Sequence, residues 1–374
     1  MSKLDVTMMD YILETPATVL ANVERSKDLT APLVDLFVKK PFKRIIVVAS
    51  GSSCSATTMA RLLMMKYLKV EVKVLTPFTF TNYEHDVNED DFVVCISQSG
   101  CSTNTISALR KCKEMGVTAI GLTGNIESDF KTEADVVIDY GVGIELVGYV
   151  TKGQITLAVF MMLFAVEAAL KLDLISEAEA NAVKDEIKQA MKAHGEMVSA
   201  FDKMYKEHRK TFTSMTNLYV IGCGANFGTI MEGSLKVGET VHIPSICYEV
   251  DEYIHGPNLQ LTPNYTVVFI DGGDEASRRC IQAYHATKTV TDRCFIISND
   301  ASIEEGHAIR IPSATSELIS PLYNVVFFQL LAHYPSEELK TMRRHPLFTE
   351  NFHTKISSKS ESYVDHHNEL IGEE

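Results

Sequence analysis

Two apolar runs that end in hydroxyl-rich turns set the tightest limit on what this chain can fold into. Residues 45–49 are continuously apolar and run into Ser50-Gly51-Ser52-Ser53; residues 92–96 do the same ahead of Ser97-Gln98-Ser99-Gly100. Runs this short and this uniformly apolar read as strands buried on both faces, the environment of a parallel sheet. A helix-like stretch follows each turn, at 57–67 and at 105–114. Strand end, small-residue turn and helix start together form an anion cradle, in which backbone N–H groups and serine hydroxyls donate to phosphate oxygens without any Lys or Arg. A single S-x-S-G would more often be an ordinary N-cap. Two such turns at the ends of neighbouring strands point into one crevice, where open α/β sheets take their ligands.

The alternation extends along the chain. Strand-like runs at 45–49, 71–75, 92–96, 117–122 and 135–139 alternate with helical stretches, which predicts a parallel sheet flanked by helices. Residues 7–40 look helical and close at Pro41. The longest apolar stretch, 155–166, is too short to span a bilayer and reads, within 156–170, as a buried packing helix. From 173 to 215 the composition turns to Glu, Lys and Ala, with Ile187, Met191, Met197, Phe201 and Met204 at helical spacing, as in an amphipathic connector. The pattern then restarts, with strands expected at 218–221, 266–270, 293–297 and 307–311 and a helix at 318–333 in the place of 156–170. The expected fold class is α/β: two tandem three-layer, flavodoxin-like parallel sheets flanked by helices, from an internal duplication of about 130 residues. The expected boundaries are a helical segment 1–40, a first domain 41–172, the connector 173–215, a second domain 216–335 and a C-terminal segment and tail 336–374.

Charge and cysteine usage narrow the partners. A formal net charge of −14 gives nucleic acid nothing to hold, yet leaves room for a small phosphorylated ligand bound by backbone dipoles. The eight cysteines, at 54, 95, 101, 112, 223, 247, 280 and 294, form no CxxC pair and have no clustered His partners, so neither a disulfide framework nor a metal site is expected. No basic-then-apolar leader opens the sequence. A cytoplasmic protein with no membrane or nucleic-acid partner is the expectation. The segment Gly222-Cys223-Gly224-Ala225-Asn226-Phe227-Gly228 resembles a dinucleotide-binding glycine turn, but no acidic residue follows at the place a ribose needs, and close helix–strand packing explains the glycines better.

Glu232, Lys236 and Glu239 fall at i, i+4 and i+7 of the helical stretch 230–240, on one face. A surface ion-pair ladder has that spacing too. The helix starts right after the glycine turn, however, which aims it at a ligand crevice. His255-Gly256-Pro257 lies sixteen residues beyond Glu239. A carboxylate and an imidazole in a water-poor cleft suit proton movement on a sugar carbon, although a histidine before Gly-Pro is most often just a loop residue.

Taken together, Ser50–Ser53, Ser97–Gly100, Glu232–Glu239 and Glu252–Pro257 resemble the motifs of the two-lobed sugar isomerase (SIS) domain family, over nearly the whole chain. Within that family the chain is similar to the isomerase half of glucosamine-6-phosphate synthase and to the fructosamine-6-phosphate deglycases. The resemblance implies that Ser97, Gln98, Ser99 and Ser102 hold a sugar phosphate. It implies that Gly51, Ser52, Ser53, Glu232 and Lys236 line the sugar site, that Glu239 is the acid–base group on carbon, and that His255 assists ring opening or proton transfer, from a second subunit. No cofactor and no metal are implied. A homodimer or larger assembly with shared sites is.

Departures from the synthase pattern shape the expected activity. The sequence starts Met1-Ser2-Lys3 and enters the sugar module directly, so a glutaminase half is not expected. Cys101 replaces the acidic residue after Ser-Gln-Ser-Gly, and Val150 stands in place of a serine before Thr151-Lys152. The run from His345 to Thr349 followed by Lys355, nine residues after Pro346, resembles the deglycases and not the synthase tail, which spaces its lysine differently; the resemblance implies that Lys355 is a sugar-site lysine.

 The expected function is a cofactor-free deglycase that cleaves a 6-phosphorylated sugar–amino acid conjugate to a hexose 6-phosphate and a free amine through an enaminol. A phosphosugar isomerase is the alternative enzyme, and a non-catalytic sugar-phosphate sensor the alternative outside enzymes.

Overall fold

A computed structural model of the chain describes residues 6–146, 148–342, 345 and 358–363. Two helices, α1 (Met8–Glu24) and α2 (Ser26–Phe37), precede the first sheet unit. That unit runs β1 (Arg44–Ala49), α3 (Gly51–Leu68), β2 (Glu71–Leu75), α4 (Pro77–Asn82), β3 (Asp91–Ile96), α5 (Thr103–Glu114), β4 (Ile120–Thr123), α6 (Phe130–Glu133), β5 (Val136–Asp139) and α7 (Lys152–Lys171). The long α8 (Glu177–Thr213), kinked at His208, leads on. Then come β6 (Leu218–Gly222), α9 (Asn226–Val241), β7 (Ser245–Glu249), α10 (Val250–Ile254), a 3₁₀ turn (Pro257–Gln260), β8 (Thr266–Ile270), α11 (Arg278–Thr287), β9 (Cys294–Ile297), β10 (Ala308–Ile309) and α12 (Pro321–Leu339). The chain divides into two compact units, 1–185 with 350–374, and 186–349.

Both sheets are five-stranded and parallel, and their orders correspond: β2-β1-β3-β4-β5 in the first unit, and β7-β6-β8-β9-β10 in the second. The α/β class and the duplicated architecture are therefore as expected from the sequence. In each sheet the chain runs outwards in both directions from its first strand, so the switch point lies between β1 and β3, and between β6 and β8. Register places Ala49 opposite Ile96, the last residues of β1 and β3, so that Ser50 and Ser97 leave the sheet side by side. At the other end of the same pair, Arg44 grips Asp91 through Nε (2.6 Å) and a second guanidinium nitrogen (3.0 Å), which pins that register. Residues 45–49 are buried to within 2% of complete, and each large apolar side chain among them contributes about 1.5–3 kcal/mol by leaving water.

Three sequence expectations need correction. Ser50-Gly51-Ser52-Ser53 is not a free turn ahead of a helix at 57: α3 begins at Gly51, with Ser50 as its extended N-cap. The fourth strand is 120–123 and not 117–122, because Asp135 Oδ2 accepts the Ala119 N–H at 2.9 Å and holds that stretch in the preceding turn. The apolar helix expected at 156–170 runs over twenty residues, long and apolar enough to cross a membrane, but 94% of its most apolar window is buried inside the protein. It packs against α1, α2 and α3. Burial on all sides is what makes it apolar on all sides.

Candidate functional site

At the switch point of the first sheet lies a cavity of about 570 Å³. Ser52, Ser53, Ser97, Gln98, Ser99 and Ser102 all line it; Gly51 does not. The turn after β3 is closed by the Gly100 N–H donating to Ser97 O at 3.0 Å, and Gly100 takes φ +65°. A Cβ at Gly100 would stand 1.8 Å from Ser128 Oγ, so both the backbone angle and the space require glycine. Ser102 is the N-cap of α5, and Ser97 Oγ donates to Ser102 Oγ at 3.0 Å. Asn104, one residue into α5, donates to Ser50 Oγ at 3.0 Å and ties the two strand-end turns together.

Gln98 is held from both ends. Its backbone oxygen accepts from the Gly124 N–H (3.0 Å) and Thr123 Oγ1 (3.1 Å), and its side-chain Nε2 donates to Glu145 Oε2 at 2.7 Å. Glu145 in turn accepts three backbone N–H groups at the start of α7, from Thr151 and Lys152 at 2.8 Å and Gly153 at 2.9 Å. Loss of solvent raises the Glu145 carboxyl above its ordinary range, against the lowering pull of Gln98 and of those N–H groups. The α7 terminus is thus occupied by the chain's own carboxylate. Lys152 is buried, is not itself a lining residue of the cavity, and donates to Glu14 (2.8 Å) and Ile144 O (2.9 Å).

A lysine does reach the cradle, contrary to the expectation that it does without a cation. Lys359 Nζ donates to Ser99 Oγ and to Ser102 Oγ, each at 3.1 Å. Its own backbone is fixed by an antiparallel bridge to Ser102, flanked by Thr103 N–H to Ser358 O (3.2 Å) and Ser360 N–H to Cys101 O (2.9 Å). Lys355, the lysine expected from the sequence, lies outside the described residues.

In the second unit, α9 carries the charged triad. Lys236 Nζ lies 2.7 Å from Glu239 Oε1 and 3.4 Å from Glu232 Oε1. This is no surface ladder: the Lys236 side chain is 1% exposed and that of Glu232 0%, whereas that of Glu239 is 33% exposed. Of the three, Glu239 alone offers its carboxylate outward, so direct sugar contact by Glu232 and Lys236, expected from the sequence, is not what this arrangement presents. Burial raises the Glu239 carboxyl above its ordinary range, and Lys236 pulls against that rise. His255 caps the end of α10 as an exposed residue, its N–H donating to Glu252 O at 3.2 Å.

The SIS domain family matches residues 40–171. Residues 40–171 are a SIS domain. Over 346 residues the chain is 25% identical to the isomerizing glutamine–fructose-6-phosphate aminotransferase of Clostridium tetani, covering 89% of this chain and 56% of that protein. The chain spans about half the length of the curated relatives it matches. Among solved structures, a candidate phosphosugar isomerase from Clostridium difficile 630 has a TM-score of 0.84 at 22% identity, covering 95% of this chain and 99% of that one. The C-terminal domain of glucosamine-fructose-6-phosphate aminotransferase from Francisella tularensis has a TM-score of 0.81 at 20% identity, covering 91% and 99%.

The SIS domain's cradle has a topological counterpart after β8, and the two differ in charge. Asp271 follows β8 and accepts from Ser277 Oγ (2.6 Å), Ser298 Oγ (2.7 Å) and the Gly273 N–H (3.0 Å). Glu317 accepts the Ala225 N–H within the glycine turn after β6, filling the space beside Gly224. Carboxylates already hold the donors there, which leaves an incoming anion repulsion in place of a cradle and removes the dinucleotide reading of that turn. Among the described residues no group of three His, Cys, Asp or Glu could hold a metal ion.

Proposed function

We propose that this protein is a cytoplasmic, cofactor-free deglycase acting on a 6-phosphorylated sugar–amine conjugate. The observation that carries the reading is the serine cradle with its lysine at the switch point, built for a phosphate that no carboxylate of the turn opposes. The second support is Glu239, a carboxylate raised by burial and steadied by a buried ammonium, which suits a group that takes a proton from carbon and returns it. It belongs to the second unit, of this chain or of another copy, and we assign the assembly as a homodimer or larger. An active species of about 41.6 kDa in light scattering would overturn that assignment.

For a ketosamine the chemistry is a proton shuttle followed by hydrolysis. Glu239 takes a proton from C1 of the open-chain sugar; the electron pair forms the C1–C2 double bond while the C2 carbonyl π pair takes up a proton on O2, giving an enaminol. Return of the proton at C2, with loss of the amine N–H proton, gives an imine at C1. Water adds to C1, the C–N bond breaks towards nitrogen, and glucose 6-phosphate and a free amine leave. An aldosamine runs the mirror sequence to fructose 6-phosphate. His255 serves ring opening or the oxygen protons.

A second reading, a phosphosugar isomerase that uses the same shuttle without breaking a C–N bond, is supported by likeness to the candidate isomerase named above. One assay separates them. The protein is incubated with a panel of 6-phosphorylated conjugates and with the unmodified hexose phosphates, and both hexose phosphate release and aldose–ketose exchange are scored. Amine release supports the deglycase; exchange on unmodified sugars alone supports the isomerase; tight binding with neither overturns both in favour of a sensor.

A further inference from the structure

The cradle's hydroxyls have a definite donor direction, and Lys359 sets it. An ammonium group only donates, so its contacts with Ser99 and Ser102 consume lone pairs on the serine oxygens. Ser102 Oγ accepts from Lys359 Nζ at 3.1 Å and from Ser97 Oγ at 3.0 Å. Ser99 Oγ accepts from Lys359 Nζ at 3.1 Å and from the Cys101 N–H at 3.3 Å. With two donors already on each oxygen, the remaining hydrogen-bonding capacity of Ser99 and Ser102 is their own O–H. Those protons are left to point at whatever enters the cavity, and what they suit is an acceptor-only group.

The lysine's place is dictated by main chain and not by chance contact. Backbone hydrogen bonds on either side of it register residues 358–360 against 101–103, at the mouth of α5. Ser362 Oγ anchors the segment further to the Asp129 carboxylate, and the Tyr363 ring lies 5.0 Å from Lys359 Nζ. Lys359 and Tyr363 line the same cavity as Ser97 and Gln98. A chain with a net charge of −14 has thereby brought one cation, more than 250 residues away in sequence, to a turn that has none of its own.

We propose that Lys359 is the counter-charge of a phosphate dianion bound in the cradle, and that it orients the Ser99 and Ser102 hydroxyls as donors to that phosphate. The inference rests on the phosphate reading of the cradle and deepens it: the C-terminal segment is a working part of the binding site. A dianion gains a charge-assisted hydrogen bond from the ammonium and two hydroxyl donors already facing it.

Calorimetric titration of the full chain with inorganic phosphate and, separately, with glucose 6-phosphate tests this, using wild type, Lys359→Gln and Lys359→Arg. Wild-type affinity should rise from pH 5.5 to 7.5 as the ligand gains its second charge, with a pKa of about 6. Lys359→Gln should weaken both ligands by about tenfold or more and flatten that rise, while Lys359→Arg, which keeps the charge, retains most of the affinity. Unchanged melting temperatures in both variants exclude a folding defect, and loss of affinity in Lys359→Gln with retention in Lys359→Arg would itself do so. Equal affinity of Lys359→Gln and wild type at pH 7.5 overturns the proposal and leaves the phosphosugar reading standing. Lysine-dependent binding of inorganic phosphate without binding of the sugar phosphate sinks the sugar reading alone. Binding of neither by wild type overturns both.

Discussion

Lys236 Nζ lies 2.7 Å from Glu239 Oε1, in a setting where the lysine has lost its water and the glutamate has kept part of it. A buried ammonium needs compensation, and Glu232, itself fully buried at 3.4 Å, is a second carboxylate partner. Glu239 is therefore not the sole carboxylate beside Lys236. That frees its charge to change during a reaction, which a carboxylate in a simple two-membered ion pair resists.

The first expectation concerns Glu239→Gln. The amide keeps the size of the side chain and an acceptor for Lys236, but it cannot take a proton from carbon. We expect kcat to fall by about 10²–10⁴-fold, the usual contribution of a positioned acid–base group, with phosphate affinity retained. Solvent-deuterium incorporation at C1 or C2, followed alongside amine release, reads this directly. Near-normal exchange in the variant would return Glu239 to a structural ion-pair role.

The pH dependence follows from the same pair. Glu239 must be ionised to accept a proton, so kcat/KM should fall as pH drops through its pKa, and burial places that acid limb above the ordinary carboxylate range near 4.3. Lys236 lowers the Glu239 pKa, so Lys236→Met should move the limb to higher pH, leaving less ionised base at any given acidic pH. A pH–rate profile of the variant with its acid limb unmoved would show that some other group titrates.

Much of this was readable in the sequence, and the gaps have physical causes. Strands buried on both faces lose the period-two signal but keep an uninterrupted apolar run, which is why β1, β3, β6 and β8 stand out in the chain at close to their observed bounds. The burial of Lys236 and Glu232 was hidden because charges at i and i+4 look alike on a surface helix and a covered one. The available clue was Gly233: a glycine inside a helix costs stability, and here it admits Phe328 of α12, whose ring atoms lie 2.6–2.9 Å from where a Cβ would be. Glu145 followed a weaker rule, an acidic side chain shortly before a helix start. The pairing of Lys359 with the cradle carries no local signal at all, since a lysine between serines reads as solvated tail until the backbone bonds at 101–103 are seen.

Removing the cradle's hydroxyls should hurt binding before chemistry. Ser97→Ala with Ser99→Ala deletes the donor to Ser102 and one of the two oxygens on which Lys359 rests. By this geometry Ser99 is the direct phosphate donor and Ser97 acts through Ser102; a lost hydrogen bond to a charged oxygen is worth about 1.5–3 kcal/mol, so KM for the phosphorylated substrate should rise more than about tenfold. Some loss in kcat should accompany it, because phosphate binding also positions the reacting carbon. Steady-state kinetics with an unaltered KM would remove these serines from the phosphate site.

Gly100→Ala separates backbone strain from crowding at the turn that shapes the cradle. Alanine at φ +65° carries a left-handed penalty of roughly 1–2 kcal/mol wherever it is placed. Its Cβ would also fall 1.8 Å from Ser128 Oγ and 2.5 Å from Ser128 Cβ, so either residue 128 or the turn itself has to move. Ser128 Oγ is buried without a hydrogen-bond partner, so removing that side chain sacrifices no polar contact. Gly100→Ala alone should therefore lower the denaturant midpoint and weaken phosphate binding together. Adding Ser128→Gly should restore part of both by clearing the space, while the strain at φ +65° persists. A double variant no better than Gly100→Ala would place the whole cost in the backbone angle, and a single variant that binds phosphate as well as wild type would show that the cradle tolerates a turn other than this one.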